Sequence, residues 1–568
     1  MLIAGAPFAY VVLFFVVPVA VVLVRSLGWP GFTLEAYADF VSGPTVRQAL
    51  QNSVWLAAQS SLLAALLGSL LLVALLSWGM RWRRVITVML LLPFVANELV
   101  RVVSWLLLLG PDGPAAGLVE FLGAESAPAM VANRIGVLVG LVHVELPFFT
   151  LAALPTLLAI DKALGRASTS LGANPLQRIL TVFLPLALPG LLAAWALAFI
   201  LGLAYYATPT LLGGPGEQIL LPSLIMAGLN TTGNWNQAAA LGILLLVVAV
   251  IGFALLAAAG GLRVIYGGPA SSRTRQRGRG SVRWQRFACS PVVRRTGDAL
   301  NHIAVRRVLK GCHAVIVVVT LVYLAAPAVS AVPASFTSGS MLTLTPDAFS
   351  LRWYRALFED PAWSSALRTS VTVALAAGAT ATALGLCAAI ALVRRFLKVG
   401  SGYFTFLLMP MVMPLPVIAL GLYFTMVGTG TAFTWQALFA GYTLFALPYA
   451  TIVLTSTLQG FDWELDRAGQ SLGAGWTRRL RTIIFPIMRP ALGVAFAFSF
   501  IIAFTEIIFA LFMHTQKMST LPVQMWMGLR FNLDPKSAAV ATLTFGVTLL
   551  VLGVSQAGAW LKRRNRAR

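Results

Sequence analysis

The chain has 568 residues, of which 59% are hydrophobic and 10% charged, and its mean hydropathy is +0.86. A soluble domain carries roughly 25% charged residues, so the composition excludes a soluble globular protein and names lipid as the solvent. The net charge of +23 would suit a nucleic-acid binder, but on so apolar a background it reads as the topology-setting charge of a membrane protein.

A run of about 20 apolar residues crosses roughly 30 Å of hydrocarbon, and twelve such runs follow in order. The first, 2–24, has no small-residue cleavage site after it and reads as a spanning helix rather than a removed leader. No basic residue precedes it, which leaves room for a start upstream of Met1. Runs 53–77 and 85–109 are separated by Arg81-Trp82-Arg83-Arg84. A loop carrying Asp112, Glu120 and Glu125 leads to 135–160, and Glu217 lies between 181–208 and 238–262. The segment Arg263–Lys310 then carries twelve Lys or Arg and a single acid, Asp298. Runs 312–334 and 367–393 come next, then Arg394, Arg395 and Lys398, then 402–428, 433–458, 483–513 and 537–561. The tail carries Lys562, Arg563, Arg564, Arg566 and Arg568. The runs are long and continuous rather than alternating, so they predict helices and not a barrel. All the basic segments fall on one side if the N-terminus is cytoplasmic, which places both termini and the linker there. The linker's Arg, Gly and Ser suit a solvated, topology-setting segment; binding to nucleic acid or anionic lipid is its alternative reading.

The chain repeats itself. Phe32-Thr33-Leu34 with Tyr37 returns as Phe349-Ser350-Leu351 with Tyr354, Ser53-Val54 as Ser370-Val371, and Pro93 as Pro410, each 317 residues on. Leu146-Pro147-Phe148 returns as Leu447-Pro448-Tyr449 at an offset of 301, and Leu221-Pro222 as Leu521-Pro522 at 300. The expectation is an all-α membrane protein of twelve transmembrane helices in two homologous six-helix halves. These are residues 1–262 and 311–568, joined by the basic linker 263–310. Six spans per half make the repeats parallel, with a pathway between them.

Between the fourth and fifth spans each half carries a polar loop. One runs from Asp161 through Arg166-Ala167 to Leu171-Gly172-Ala173. The other runs from Asp462 through Arg467-Ala468 to Leu472-Gly473-Ala474. A proline, Pro185 or Pro486, follows thirteen residues after each glycine. Glycine at a helix end accepts positive φ and turns the chain sharply, and the proline shapes the next span. The loops resemble the EAA signature of binding-protein-dependent ABC importer permeases, the type I transmembrane-domain family. That resemblance implies type-1 transmembrane domains at about 48–260 and 366–560. It further implies short coupling helices that dock on two ATPase subunits, and a separate solute-binding protein. The signature's glutamate aligns with Arg166 and Arg467, so its ATPase contact does not carry over.

Leu99-Val-Arg-Val-Val-Ser-Trp105 and Ala207-Thr-Pro-Thr-Leu-Leu-Gly-Gly214 resemble the first permease subunit of spermidine/putrescine importers. Thr520-Leu-Pro-Val-Gln-Met-Trp-Met-Gly-Leu-Arg530 and Ala538-Ala-Val-Ala-Thr542 resemble the second. A polyamine is the expected solute; ferric iron, thiamine and phosphonate importers share the architecture.

Ionisable residues within a span are costly and default to functional candidates. Glu98, Arg101, Glu145 and Glu506 lie in predicted spans, and Glu98 and Arg101 are spaced to pair on one helix face. With Trp105, Tyr205, Tyr206, Phe504 and Phe509 they are expected to form a cation pathway by charge and cation–π attraction. The competing reading is carboxylates that lock helices together. No lysine follows a glycine, so a P-loop is excluded. The chain itself is expected to bind no cofactor and to be no enzyme, with ATP and Mg handled by the partner. Cys289, Cys312, Cys387 and the four histidines have no metal-ligand spacing. An ion-coupled secondary transporter would use the same acids but needs no paired docking loops. A membrane enzyme or scaffold would need a catalytic cluster that the sequence lacks.

Overall fold

In the computed structural model the chain is described at residues 2–121, 123, 130–216, 219–256, 284, 287–340, 342–344, 348–394, 400–515, 518–531 and 535–566. Glu125, Glu217, most of linker residues 257–286, Arg395, Lys398 and Arg568 lie outside them. Helices dominate the described residues, and the few extended contacts amount to an isolated bridge between Thr337 and Phe349.

In chain order the first half runs α1 (Leu2–Val11), α2 (Val17–Ser26), α3 (Glu35–Ser42), α4 (Pro44–Ser77), α5 (Met80–Val95), α6 (Glu98–Leu109) and α7 (Pro114–Phe121). It continues with α8 (Arg134–Leu158), α9 (Lys162–Ser170), α10 (Pro175–Arg178), α11 (Leu184–Ala204), α12 (Ala207–Leu212), α13 (Leu221–Asn230) and α14 (Trp235–Leu256). The linker ends in α15 (Pro291–Asn301). The second half runs α16 (Ile303–Ala334), α17 (Arg352–Glu359), α18 (Pro361–Val393), α19 (Gly400–Val412), α20 (Leu415–Gly428) and α21 (Trp435–Gln459). It continues with α22 (Trp463–Ser471), α23 (Trp476–Arg479), α24 (Phe485–Thr505), α25 (Ile508–Met513), α26 (Leu521–Phe531) and α27 (Lys536–Arg566).

Ten described helices are long and apolar enough to cross a membrane, eleven when the bent pair α19 and α20 is counted; α27 stands at the place of the twelfth expected span with a shorter apolar stretch, Lys536–Val551. Several spans are broken rather than continuous. The third expected span parts into α5 and α6 at Ala96 and Asn97, where Asn97 caps the new helix by accepting from Leu99 N. Its counterpart bends by 93° between α19 and α20, at Met413 and Pro414. The fifth span of each half stops at Tyr205 or Glu506, both extended at ψ 131°, and resumes as a six-residue helix.

Three π-helical turns, Val12–Val16, Ile179–Phe183 and Leu480–Ile484, each end two residues before a proline: Pro18, Pro185 and Pro486. Proline lacks the N–H that would bond four residues back and crowds that carbonyl; a turn one residue wider accommodates both. The expected kink therefore takes this form.

The halves exchange their first helices. α1 and α2 pack on α18 and α20 of the second half, and α16 packs on α4, α5 and α6 of the first. Tyr10 donates to the carbonyl of Ala440 at 3.0 Å and Tyr403 to that of Ala4 at 2.8 Å. Ser104 donates to Pro327 O at 2.7 Å across the other exchange. One hydrophobic core consequently runs through both halves.

The repeat recurs at the level of single hydrogen bonds. Tyr37 meets Ser26, and Tyr354 meets Ser335, each at 2.7 Å, so α3 and α17 are tied to the first helix of their own half in the same way.

Candidate functional site

A cavity of about 230 Å³ lies between the halves at the broken helices. Its polar lining comes from Asn97, Glu98 and Arg101 of the first half, with Tyr205 and Tyr206, and from Tyr449, Thr505 and Glu506 of the second. The breaks make this possible: each interruption leaves a helix end and its side chains facing inward instead of a continuous hydrogen-bonded ladder.

Glu98 and Arg101 do not form the expected ion pair; none joins them among the described residues. Arg101 Nη1 instead reaches back across the break to the carbonyls of Pro93 and Ala96, at 2.8 and 2.6 Å. These are carbonyls at the end of α5, which the broken span has left without intrahelical donors. Glu98 Oε1 accepts from the Thr208 hydroxyl of α12 at 3.2 Å.

Glu506 lines the cavity but its carboxylate is already bonded. Oε1 accepts from Ile508 N at 2.6 Å and Oε2 from Phe509 N at 2.9 Å, capping α25. Tyr205 occupies the matching place in the first half, where that span stops as well. The expected aromatic neighbours are elsewhere. Phe504 stacks on Phe500 with centroids 5.5 Å apart and lines a separate apolar pocket, while Phe509 is fully buried in the core.

Trp105 and Glu145 also lie outside the cavity lining. Trp105 joins His143 and Tyr323 in an aromatic triangle with centroid distances of 5.2 to 5.6 Å, where α16 crosses onto the first half. Glu145 is buried between α8, α4 and α11, accepting from Ser60 at 2.8 Å and facing Gly202. Tyr206 and Tyr449, by contrast, line the cavity; Tyr449 was legible only as the repeat partner of Phe148, which lines it too.

At one end of the bundle the two polar loops fold alike. α9 and α22 are nine residues each, begin with Asp161 accepting from Ala163 N or Asp462 accepting from Glu464 N, and end at a left-handed glycine. Gly172 has φ +80° and Gly473 φ +76°. Ala173 N bonds Ser168 O and Gly172 N bonds Thr169 O; Ala474 and Gly473 repeat this with Gly469 and Gln470. This is the 6→1 and 5→2 pattern of a glycine-terminated helix. Leu171 and Leu472, beside these glycines, are 88% and 87% exposed, and Leu164 and Leu465 are exposed two turns earlier. Arg166 and Arg467 are exposed as well, Arg467 with Glu464 at 3.5 Å. Ala167 and Ala468 lie on the same helices, and Pro185 and Pro486 follow the π turns beyond them.

The end of the linker is not a free solvated segment. α15 docks on α10: Asn174 Nδ2 donates to Arg294 O at 2.9 Å and to Asp298 Oδ1 at 3.0 Å, and Trp284 Nε1 donates to Leu180 O at 3.0 Å. Asn174 also completes a capping box with Gln177.

Comparison with known proteins agrees with this architecture. Residues 381–567 match the family described as binding-protein-dependent transport system inner membrane component. The spermidine/putrescine transport system permease protein PotC of Haemophilus influenzae is 32% identical over 240 residues, which is 42% of this chain and 92% of that protein. The probable ABC transporter permease protein y4fN of Sinorhizobium fredii is 24% identical over 538 residues, 92% of this chain and 89% of its own length. A solved bacterial ABC transporter involved in alginate import gives a TM-score of 0.40 at 17% identity, over 44% of this chain and 91% of that one. The chain is a transport permease and not an enzyme, and it belongs to the binding-protein-dependent ABC importer permeases, with two permease halves fused in one polypeptide.

Proposed function

We propose that this chain forms the whole membrane pathway of an importer for a small organic cation of the polyamine class. The observation that carries the reading is the cavity at the interface of the halves, where Glu98 and Glu506 meet Tyr205, Tyr206 and Tyr449. A flexible chain of ammonium groups leaving water needs carboxylates and aromatic faces, and identity to a spermidine/putrescine permease supports the class. α9 and α22 receive two ATPase subunits, which bind ATP and Mg, and their exposed leucines are the apolar knobs of that contact. A solute-binding protein delivers the solute at the opposite face. The basic segments place both termini and the linker on the ATPase side, in the cytoplasm of a bacterial inner membrane.

Glu98 is the better group to test, because Gln there retains an acceptor for Thr208, whereas Gln at 506 loses one of two helix-capping bonds. Glu98→Gln is expected to lower uptake of labelled spermidine or putrescine by about tenfold or more, the scale of one lost charge-assisted contact. Basal ATP hydrolysis stays unchanged. Wild-type uptake by a correctly assembled Glu98→Gln complex contradicts the pathway.

A further inference from the structure

The two polar loops share a backbone but differ in the side chains packed beneath it. In the second, Asp466 is 3% exposed, ion-paired to Arg394, and 3.4 Å from Arg479 Nε. The Arg394 guanidinium lies over Trp476 and Trp463, at 4.4 and 5.0 Å from the ring centres. The buried charges of this loop face one another from within it.

In the first loop that arrangement is dismantled. Gly165 stands at the position of Asp466, Ser77 at that of Arg394, Pro175 at that of Trp476 and Lys162 at that of Trp463. Arg178 alone is retained, as the counterpart of Arg479. Its Nη1 reaches Thr169 Oγ1 at 3.2 Å; its Nε, like that of Arg479, is buried without a hydrogen-bond acceptor among the described residues, but it has no carboxylate beside it as Arg479 has in Asp466. A Cβ on Gly165 would meet the Phe183 ring at 3.1 Å, with Arg178 Cδ next at 4.0 Å. Gly165 borders an open groove of about 460 Å³, whose cations are Lys162, Arg166 and Arg178. The nearby acids face elsewhere: Asp161 caps Ala163 N, and Asp298 of the linker accepts from Asn174.

We propose that this groove is a socket for a carboxylate side chain of the ATPase subunit that docks on the first half. The partner's acid would take, from outside, the place that Asp466 fills from inside the second loop. The proposal rests on the ATPase docking put forward above and adds an asymmetry to it. Two copies of one ATPase subunit meet two different loops, and one of the contacts is strongly electrostatic. Steering by opposite charge and sensitivity to salt follow for that contact.

The test uses the full chain in nanodiscs, titrated with the ATPase subunit that co-purifies with it. Gly165→Asp fills the socket from within. Its Cβ meets the Phe183 ring edge at 3.1 Å, so a fold-sparing second variant reverses the exposed rim, Lys162→Glu with Arg166→Glu. Each is expected to weaken one of the two ATPase sites by at least about tenfold, and to remove the salt dependence of that site while leaving the other unchanged. Wild-type titration at both sites in both variants overturns the socket. So does a difference that appears only with anionic lipid, which would assign the groove to a headgroup. A wild-type chain that binds no ATPase subunit contradicts the docking itself, a result distinct from either.

Discussion

Ser53 Oγ accepts the backbone N–H of Leu221 at 2.9 Å, and 317 residues later Ser370 Oγ accepts that of Leu521 at 2.7 Å. Both hydroxyls are buried, and both leucines open a helix whose first amides lack intrahelical acceptors. The same two repeat motifs, far apart in sequence, are thus joined by one bond in each half. Ser53→Ala or Ser370→Ala leaves a buried amide unpaired and is expected to cost about 1–3 kcal/mol. A thermal melt of the detergent-solubilised chain checks it: each alanine lowers the midpoint, and Thr at either position lowers it less.

Gly172 and Gly473 hold left-handed backbone with open space where a Cβ would go. A substitution there meets no steric neighbour and acts through φ alone. Valine is expected to cost about 1–2 kcal/mol locally and to tilt α9 or α22 without hindering membrane insertion. ATP hydrolysis by the assembled complex then persists while solute uptake falls. Uptake equal to wild type in proteoliposomes argues that these helices do not transmit the force.

These glycines were readable from the sequence because their spacing to the following proline recurs in both halves. The twelve apolar runs were readable for the same reason that they cross lipid. The interruptions were not. Neither glycine nor proline marks the break at Glu506; its carboxylate caps the helix that resumes, at Ile508 and Phe509, and a buried acid in an apolar run reads as a ligand before it reads as a cap. The Glu98–Arg101 spacing suggested a pair on a continuous helix, yet the break gives Arg101 better partners in the freed carbonyls. Trp105 and Glu145 stand away from this cavity because a span has several faces, and periodicity in an all-apolar helix does not say which one borders it. The linker helix carried a legible start in Ser290-Pro291, with Ser290 accepting from Val293 N, but its basic, glycine-rich surroundings suggested disorder.

Gly297 sits against Asn174, where a Cβ would come within 2.3 to 2.6 Å of the amide group. Asn174 cannot swing away without breaking its bonds to Gln177 and to α15. Gly297→Val is therefore expected to undock the linker helix from α10. Hydrogen exchange should rise in residues 174–183 by tenfold or more, about 1.4 kcal/mol, and stay unchanged in residues 475–484. Equal protection in both segments would show that the linker contributes nothing to the first loop.

Asp466 offers the converse experiment in the second half. Removing one member of a buried charge cluster leaves its partners uncompensated and costs about 3–5 kcal/mol. Asp466→Asn removes the carboxylate that faces Arg394 and Arg479 and is expected to loosen α22, seen as rapid proteolysis after Arg467 or Arg478. Combining Asp466→Asn with Arg394→Met relieves part of the loss, because the stranded charge is gone. A double variant no more protected than the single one would mean that the cluster does not hold the loop.

The central claim is that one chain supplies both halves of an ATP-driven import pathway. It is tested most directly in proteoliposomes that contain this chain, its ATPase subunit and its solute-binding protein. The account predicts that spermidine or putrescine with the binding protein raises ATP hydrolysis several-fold and is accumulated only when ATP is present on the ATPase side. Accumulation driven by an ion gradient without ATP, in liposomes that hold this chain alone, would contradict it.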